Sequence, residues 1–331
     1  MKKHRMKKAV VSAVAAACLA LSACTPNGAT PTEGTSASTG QPPAHVMSCD
    51  EKLSFEKAPE RVVVMDDTDL SIINRLGLLD KVVARSGKLR TAPYDEATVA
   101  KLKAIPEIKS TVLDSGGTKL ATETILEQNA DLVIGFDAGL DRDALRKAGI
   151  PVYAPVSFCA NLNPQKATFN LVNEEIERVS TIFGIPEKGK ELIAEIKGEV
   201  DTITKAAPSN RGSVAVLYVM PDSKAFYVYG NSSMVQPIVE ANGLTNAYGE
   251  DPKRVFDGAM EDLLAKNPDY VLLLYGEGQA KEALPTFLKF QGADKMKAVK
   301  GNKVLTMAFS LTDPPTPNSV KGASVLAGLL K

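Results

Sequence analysis

Apolar positions beyond residue 60 follow two rhythms. Short unbroken runs rich in β-branched residues alternate with segments whose apolar residues recur every three or four positions. These are the spacings of strands buried on both faces and of helices with one buried face. Arg61–Met65, Lys81–Arg85, Asp131–Gly135 and Pro151–Val156 read as strands. Asp69–Leu79, Asp95–Lys103, Thr122–Gln128 and Asp141–Ala148 read as helices between them, with Asp141 as an N-cap. From Gln165 to Gly184, residues Leu171, Val172, Ile176, Val179, Ile182 and Phe183 predict one long amphipathic helix of about 20 residues, or ~30 Å. A second helix follows over Lys188–Thr204. The alternation then restarts, with strands at Ser213–Val219, Ala225–Tyr229, Asp269–Leu274 and Lys303–Phe309. Helices fall at Met234–Glu240, closed by Asn242-Gly243, then at Met260–Lys266, Glu282–Phe290 and Asn318–Lys331. The pattern predicts two α/β lobes, residues 49–163 and 186–331, joined by a single long interdomain helix over 164–185.

Composition changes the picture at the N-terminus. A basic stretch, Met1–Lys8, precedes the apolar run Ala9–Ala20, which is too short to span ~30 Å of hydrocarbon. Residues 1–23 read as a signal peptide. Leu21-Ser22-Ala23-Cys24 resembles a bacterial lipoprotein processing box, so Cys24 is expected to carry lipid. An ordinary cleavage site followed by an incidental cysteine is the alternative. Two acyl chains would anchor the protein where one would not. Residues 25–48 are mostly Thr, Pro, Gly, Ser and Ala without apolar periodicity, and the segment 24–48 reads as a lipidated cysteine and flexible tether.

Charge and histidine content remove several functions. The 39 basic and 39 acidic residues balance. Five of the bases lie in residues 1–23, which hold no acid, so the remainder is acidic by five charges. No excess suited to nucleic acid survives. His4 and His45 are the only histidines, and both fall in segments expected to lie outside the folded body. That argues against a Ser/His/Asp triad and against imidazole-rich metal sites, so no metal ligands are assigned. Of the four cysteines, Cys18 leaves with the signal peptide and Cys24 is lipidated. Cys49 and Cys159 remain in an exported, oxidising setting that favours a disulfide over two free thiols.

The two halves echo one another. Thr122–Ile134 and Met260–Leu272 share a Glu at the second position, a hydrophobic residue followed by Leu, an Asp and then an apolar strand. With Ala58-Pro59-Glu60-Arg61-Val62-Val63-Val64 and Leu76-Gly77-Leu78-Leu79-Asp80-Lys81-Val82-Val83, these segments make residues 50–331 resemble the class III substrate-binding proteins of bacterial ABC importers. Those are receptors for ferric siderophores, heme and cobalamin. The resemblance implies a rigid linking helix, a mostly preformed cleft, and one glutamate per lobe that docks on the permease. Glu123 and Glu261 match those positions; an acid favoured by the helix dipole is the plainer reading.

Ligands of open α/β sheets sit beyond the carboxyl ends of the strands. That rule selects Lys88, Arg90, Phe136, Asp137 and Phe158 in the first lobe, and Arg254, Tyr227, Tyr229, Tyr275 and Phe309 in the second. The arginines suit anionic oxygens, and the aromatic rings suit a flat or aromatic ligand, although each ring alone fits simple packing. Arg254 gains weight because it precedes Glu261 where related receptors place a ligand-facing side chain. Asp66, Asp67 and Asp69 are unusual for an anion pocket; they suit a helix cap or a cationic ligand.

The expected cargo is therefore a preassembled complex. An Fe(III)-siderophore is favoured, with no resident cofactor; heme through a Tyr ligand, cobalamin or another cofactor precursor are the alternatives. The expected partners are the ABC permease and ATPase subunits and the membrane, reached through the lipid anchor on its extracytoplasmic face. The protein is expected to be a monomer. An enzyme is disfavoured, since neither Gly-x-Gly-x-x-Gly after a strand nor Gly-x-Ser-x-Gly occurs. An envelope signalling or interaction protein built on the same fold is the competing class.

Overall fold

Val62, Val63 and Val64 are each 0% exposed, so the strand they form must be covered on both faces. In the computed structural model, which describes residues 43–65, 69–112, 118–135, 140–156, 159, 166–221 and 223–331, helices supply both covers. The first half runs β1 (Ala44–Ser48), β2 (Glu51–Phe55), β3 (Val62–Val64), α1 (Leu70–Arg75), β4 (Val82–Arg85), α2 (Glu96–Ala104), β5 (Thr111–Val112), β6 (Thr118–Lys119), α3 (Thr122–Leu126), β7 (Leu132–Ile134), α4 (Arg142–Lys147) and β8 (Val152–Tyr153). Two helices follow, α5 (Asn170–Ile182) and α6 (Pro186–Ala206). The second half runs β9 (Gly212–Val219), β10 (Phe226–Tyr229), α7 (Val235–Ala241), β11 (Leu244–Asn246), β12 (Val255–Asp257), α8 (Met260–Lys266), β13 (Tyr270–Tyr275), α9 (Ala280–Leu288), α10 (Lys297–Lys300), β14 (Val304–Ala308) and α11 (Pro317–Leu329).

The first lobe holds a parallel sheet of order β4-β3-β7-β8. The second holds β12-β10-β9-β13-β14, with β11 also beside β9. There β9, β11, β13 and β14 are parallel, and β10 runs antiparallel to β9 and β12. Alternate side chains sort onto different cores. Val62, Val64, Leu132 and Ile134 of the first sheet share one apolar cluster with Val214, Val216, Leu272 and Leu274 of the second. The intervening residues face away: Val63 and Val133 pack with Ile125 and Leu145, and Leu217 and Leu273 pack with Leu263 and Phe287.

Helices α1, α5, α6, α7 and α11 fill the shared cluster. The close approach of α5 and α6 requires Gly189, where a Cβ would lie 2.1 Å from Ser180 Oγ. One charge is sealed in beside this core. Glu175 of α5 is 1% exposed; it accepts a hydrogen bond from the Tyr153 hydroxyl and lies 3.4 Å from Arg178 Nη1. Burial raises the Glu175 carboxyl from its ordinary range, against the Tyr153 and Arg178 contacts that favour the anion.

Several expectations change. The tether expected through residue 48 ends earlier, because Ala44–Ser48 pairs with Glu51–Phe55 as a hairpin. Its alternate residues Val46, Leu53 and Phe55 are buried. His45 therefore belongs to the folded body, exposed, with Nδ1 2.9 Å from Ser54 Oγ. The long interdomain helix shortens to 13 residues. Residues 166–168 are not helical, and the Ala167 N–H instead donates to the Asn231 carbonyl at 2.7 Å. The longest helix described is its neighbour α6, with 21 residues. Asp141 caps α4 through Ala144 N–H, whereas Asp69 makes no side-chain cap of α1. Cys49 and Cys159 are joined by a disulfide, with Cα atoms 5.2 Å apart.

The sequence echo has a structural counterpart. Asn129 and Asn267 both adopt left-handed backbone after α3 and α8. Asp131 accepts from the backbone N–H groups of Glu60 and Arg61 before β3, and Asp269 accepts from Ser213 N–H in β9. Each lobe thus ties the loop before one central strand to the start of its neighbour.

Glu175→Ala leaves the buried Tyr153 hydroxyl without this acceptor and is expected to cost about 1–3 kcal/mol in urea unfolding. Adding Tyr153→Phe to that variant should recover part of the loss. Equal stabilities for wild type and Glu175→Ala would contradict the assignment.

Candidate functional site

The parallel strands β4, β9, β13 and β14 lead to polar and aromatic residues: Lys88 and Arg90 after β4, Tyr218 and Tyr275 near the ends of β9 and β13, and Phe309 after β14. The segment after β4 reaches from the first lobe to the second. Lys88 Nζ donates to the Glu277 carbonyl at 3.3 Å, and the Thr91 hydroxyl donates to the Glu277 carboxylate. Farther along, Lys321 Nζ donates to the Pro93 carbonyl at 2.6 Å, and Asn318 Nδ2 donates to the Tyr94 hydroxyl at 3.2 Å. Arg90 lies in this segment, between Lys88 and Thr91 in sequence, and its charge acts on the phenol of Tyr218 on β9. Burial raises the Tyr218 hydroxyl above its ordinary value, and the Arg90 charge opposes that.

From Tyr218 an aromatic row continues into the second lobe. Its ring meets Phe309 edge-on at 5.5 Å between centroids, and Phe309 lies 6.5 Å from Tyr229. Tyr229 is buried, and its phenol is raised far above the ordinary range by burial and by Asp313. Tyr227 is 37% exposed and sits opposite Tyr218 across the β9–β10 pair. Tyr275, half-buried at the end of β13, is raised by burial and then by Glu277.

Arg254 opens onto the same cluster. Gly230 lets the segment before β12 approach, since a Cβ there would lie 2.3 Å from the Lys253 carbonyl oxygen; Gly230 N–H donates to the Arg254 carbonyl at 3.2 Å. The guanidinium is 40% exposed, with Nη1 3.4 Å from Asp313 Oδ2. Asp313 is 4% exposed, and its Oδ1 accepts from Met234 N–H at 2.8 Å. Burial raises the Asp313 carboxyl, while Arg254 and then that N–H pull it down.

The structure thus brings Lys88, Arg90, Tyr227, Tyr229, Arg254, Tyr275 and Phe309 to the strand ends. Phe136, Asp137 and Phe158, together with Asp66, Asp67 and Cys24, lie outside the described residues. Glu123 and Glu261 are exposed in the first turns of α3 and α8. Sequence reasoning missed Tyr218, Thr91 and Asp313. Tyr218 lies inside the predicted strand, one residue from its end. Asp313 lies in Thr312-Asp313-Pro314-Pro315, a polar interruption after the last strand that the strand-end rule could have included. Among the described residues no group of three or more His, Cys, Asp or Glu is placed to hold a metal ion, and no helix is long and apolar enough to cross a membrane.

Residues 62–311 match the family model described as periplasmic binding protein. The chain belongs to that family. As such it is the substrate-binding protein of an ABC transporter, a transport component that works with permease and ATPase subunits. The ABC transporter substrate-binding lipoprotein YvrC of Bacillus subtilis strain 168 is 22% identical over 284 residues, covering 83% of this chain and 81% of the relative. The crystal structure of an ABC-type Fe3+-hydroxamate transport system from Saccharomonospora viridis DSM 43017 superposes with a TM-score of 0.79 at 32% identity, over 87% of this chain and 99% of that one. The periplasmic heme-binding protein RhuT from Roseiflexus sp. RS-1 shares the fold, with a TM-score of 0.64 at 22% identity over 82% of this chain and 97% of that one.

In this binding protein Glu277 ties the Arg90 segment to the second lobe. Glu277→Ala is expected to speed amide exchange across residues 88–94 severalfold, while α5 and α6 keep their protection. Unchanged exchange in 88–94 would show that Glu277 does not hold the segment.

Proposed function

We propose that this chain is an extracytoplasmic lipoprotein that captures a ferric siderophore of the hydroxamate class and delivers it to its permease. The observation that carries the reading is the tie of the Arg90 segment to the second lobe, through Lys88 and Thr91 to Glu277, where that lobe carries the Tyr218–Phe309 row and Arg254. Guanidinium donors suit the oxygens that wrap the iron, and rings suit the ligand's apolar rim. The 32% identity to the Fe3+-hydroxamate transport structure supports the same class. Cys24 carries the lipid in this reading, which the lipoprotein relative supports. Glu123 and Glu261, exposed on matching helices of the two lobes, are the permease contacts.

The chain has eight tyrosines and no tryptophan, so quenching of tyrosine fluorescence reports the cleft. A ferric trihydroxamate should quench it saturably. Arg254→Ala should weaken binding about ten- to hundredfold, the worth of one charge-assisted hydrogen bond, and leave the iron charge-transfer band unmoved. No binding of any ferric trihydroxamate would refute the cargo. A band shifted by Tyr→Phe at 227, 229 or 275 would make that tyrosine a metal ligand and favour heme.

Glu123→Ala and Glu261→Ala should depress uptake in cells and leave the dissociation constant within a few-fold. Lost affinity with normal uptake would reverse the docking role.

A further inference from the structure

Asp313 is an acid where packing needs none. The Oδ1 bond to Met234 N–H would be accepted as well by an asparagine oxygen, without a buried charge. Sealing a carboxylate into a site that is 4% exposed costs several kcal/mol before any pairing is counted. Its Oδ2 accepts no hydrogen bond among the described residues; the Arg254 guanidinium lies 3.4 Å away, looser than a direct bond. The charge therefore does little for folding and acts chiefly on Arg254. The neighbouring Tyr229 cannot take over that role, because it is a phenol.

The rest of the site follows the same pattern. Among the described residues named above, the bases Lys88, Arg90, Lys321 and Arg254 stand with the acids Glu277 and Asp313. Part of the charge on these N–H donors is thus offset by acids beside them. This matters for ferric chelates, which differ in charge more than in size. Three hydroxamates cancel the charge of the ferric ion, whereas three catecholates leave a trianion. A trianion gains most from uncompensated cations and is repelled by a nearby carboxylate.

We propose that Asp313 is a specificity-determining residue: by offsetting the charge of Arg254 it lowers the cleft's pull on anions, so that a neutral ferric trihydroxamate is accepted and a trianionic ferric tricatecholate is disfavoured. The proposal rests on the siderophore reading above and adds the residue that sets the charge class. Arg254 contributes donors, and Asp313 removes the attraction that would make those donors indiscriminate.

The test measures dissociation constants of both complexes by tyrosine fluorescence for four proteins: wild type, Asp313→Asn, Arg254→Gln and the double variant. The readout is the ratio of the two constants, which a purely structural defect would not move in a charge-dependent direction. Asp313→Asn should move the ratio toward the tricatecholate by about tenfold, given a half-exposed guanidinium in an effective dielectric well above that of a dry interior. The shift should shrink as salt is raised. Arg254→Gln should move the ratio the other way, and the double variant should return within a few-fold of wild type. An unmoved ratio in an Asp313→Asn protein that still melts cooperatively overturns the proposal while the siderophore reading stands. Should Asp313→Asn not fold, Arg254→Gln decides: a ratio unmoved or moved toward the tricatecholate overturns it. A wild type that binds neither complex overturns the siderophore reading and the proposal with it.

Discussion

Everything in this molecule hangs on one apolar cluster that both sheets share. Val62, Val64, Leu132 and Ile134 of one sheet and Val214, Val216, Leu272 and Leu274 of the other turn the same kind of face toward α1, α5, α6, α7 and α11. Opening the lobes by a wide hinge would expose part of that cluster, at roughly 25 cal/mol for each Å2 of apolar surface. The lobes are therefore set against each other by the fold, before any ligand arrives. Protein interiors are dense and resist continuous deformation, so the spacing of the strand ends is inherited from the packing of the helices behind them.

The chemistry follows from that geometry. Because the spacing is fixed, residues far apart in sequence can be held at useful distances without a hinge closing on them. Lys88 and Thr91 reach Glu277 and hold the Arg90 segment against the second lobe. Arg254 is held over Asp313 by a backbone approach that only a glycine at 230 admits. A binding protein benefits from such preorganisation because fewer groups must be ordered when the ligand enters. The matching helices α3 and α8 present Glu123 and Glu261 from the two lobes on the same scaffold, so a partner that touches both reads the spacing of the lobes.

Local patterns carried most of the fold in the sequence, because burial on both faces leaves continuous apolar runs and one-sided burial leaves a helical stripe. Met260–Lys266 is the same helix in sequence and in structure. The β1–β2 hairpin was hidden because its strands are five residues each, interrupt a Pro- and Ser-rich segment, and bury only alternate side chains. The start of α5 differs from the local pattern because Lys166, Ala167 and Thr168 are compatible with helix, yet Ala167 N–H is engaged by the Asn231 carbonyl, far away in sequence. The site shows the same division. The strand-end rule finds Arg90, Arg254 and Phe309 one at a time. Their assembly, and the presence of Tyr218 and Asp313 among them, depends on contacts between residues far apart in sequence that no local pattern records.

The central claim is that the shared core fixes the lobes in advance. Native-state hydrogen exchange with and without a saturating ferric trihydroxamate tests it most directly. The buried amides of α5 and α6, around Val172, Ile176, Val179 and Ile196, should exchange only through global unfolding and be equally protected in both states. Exchange of those amides through a smaller opening, suppressed when the ligand binds, would contradict it.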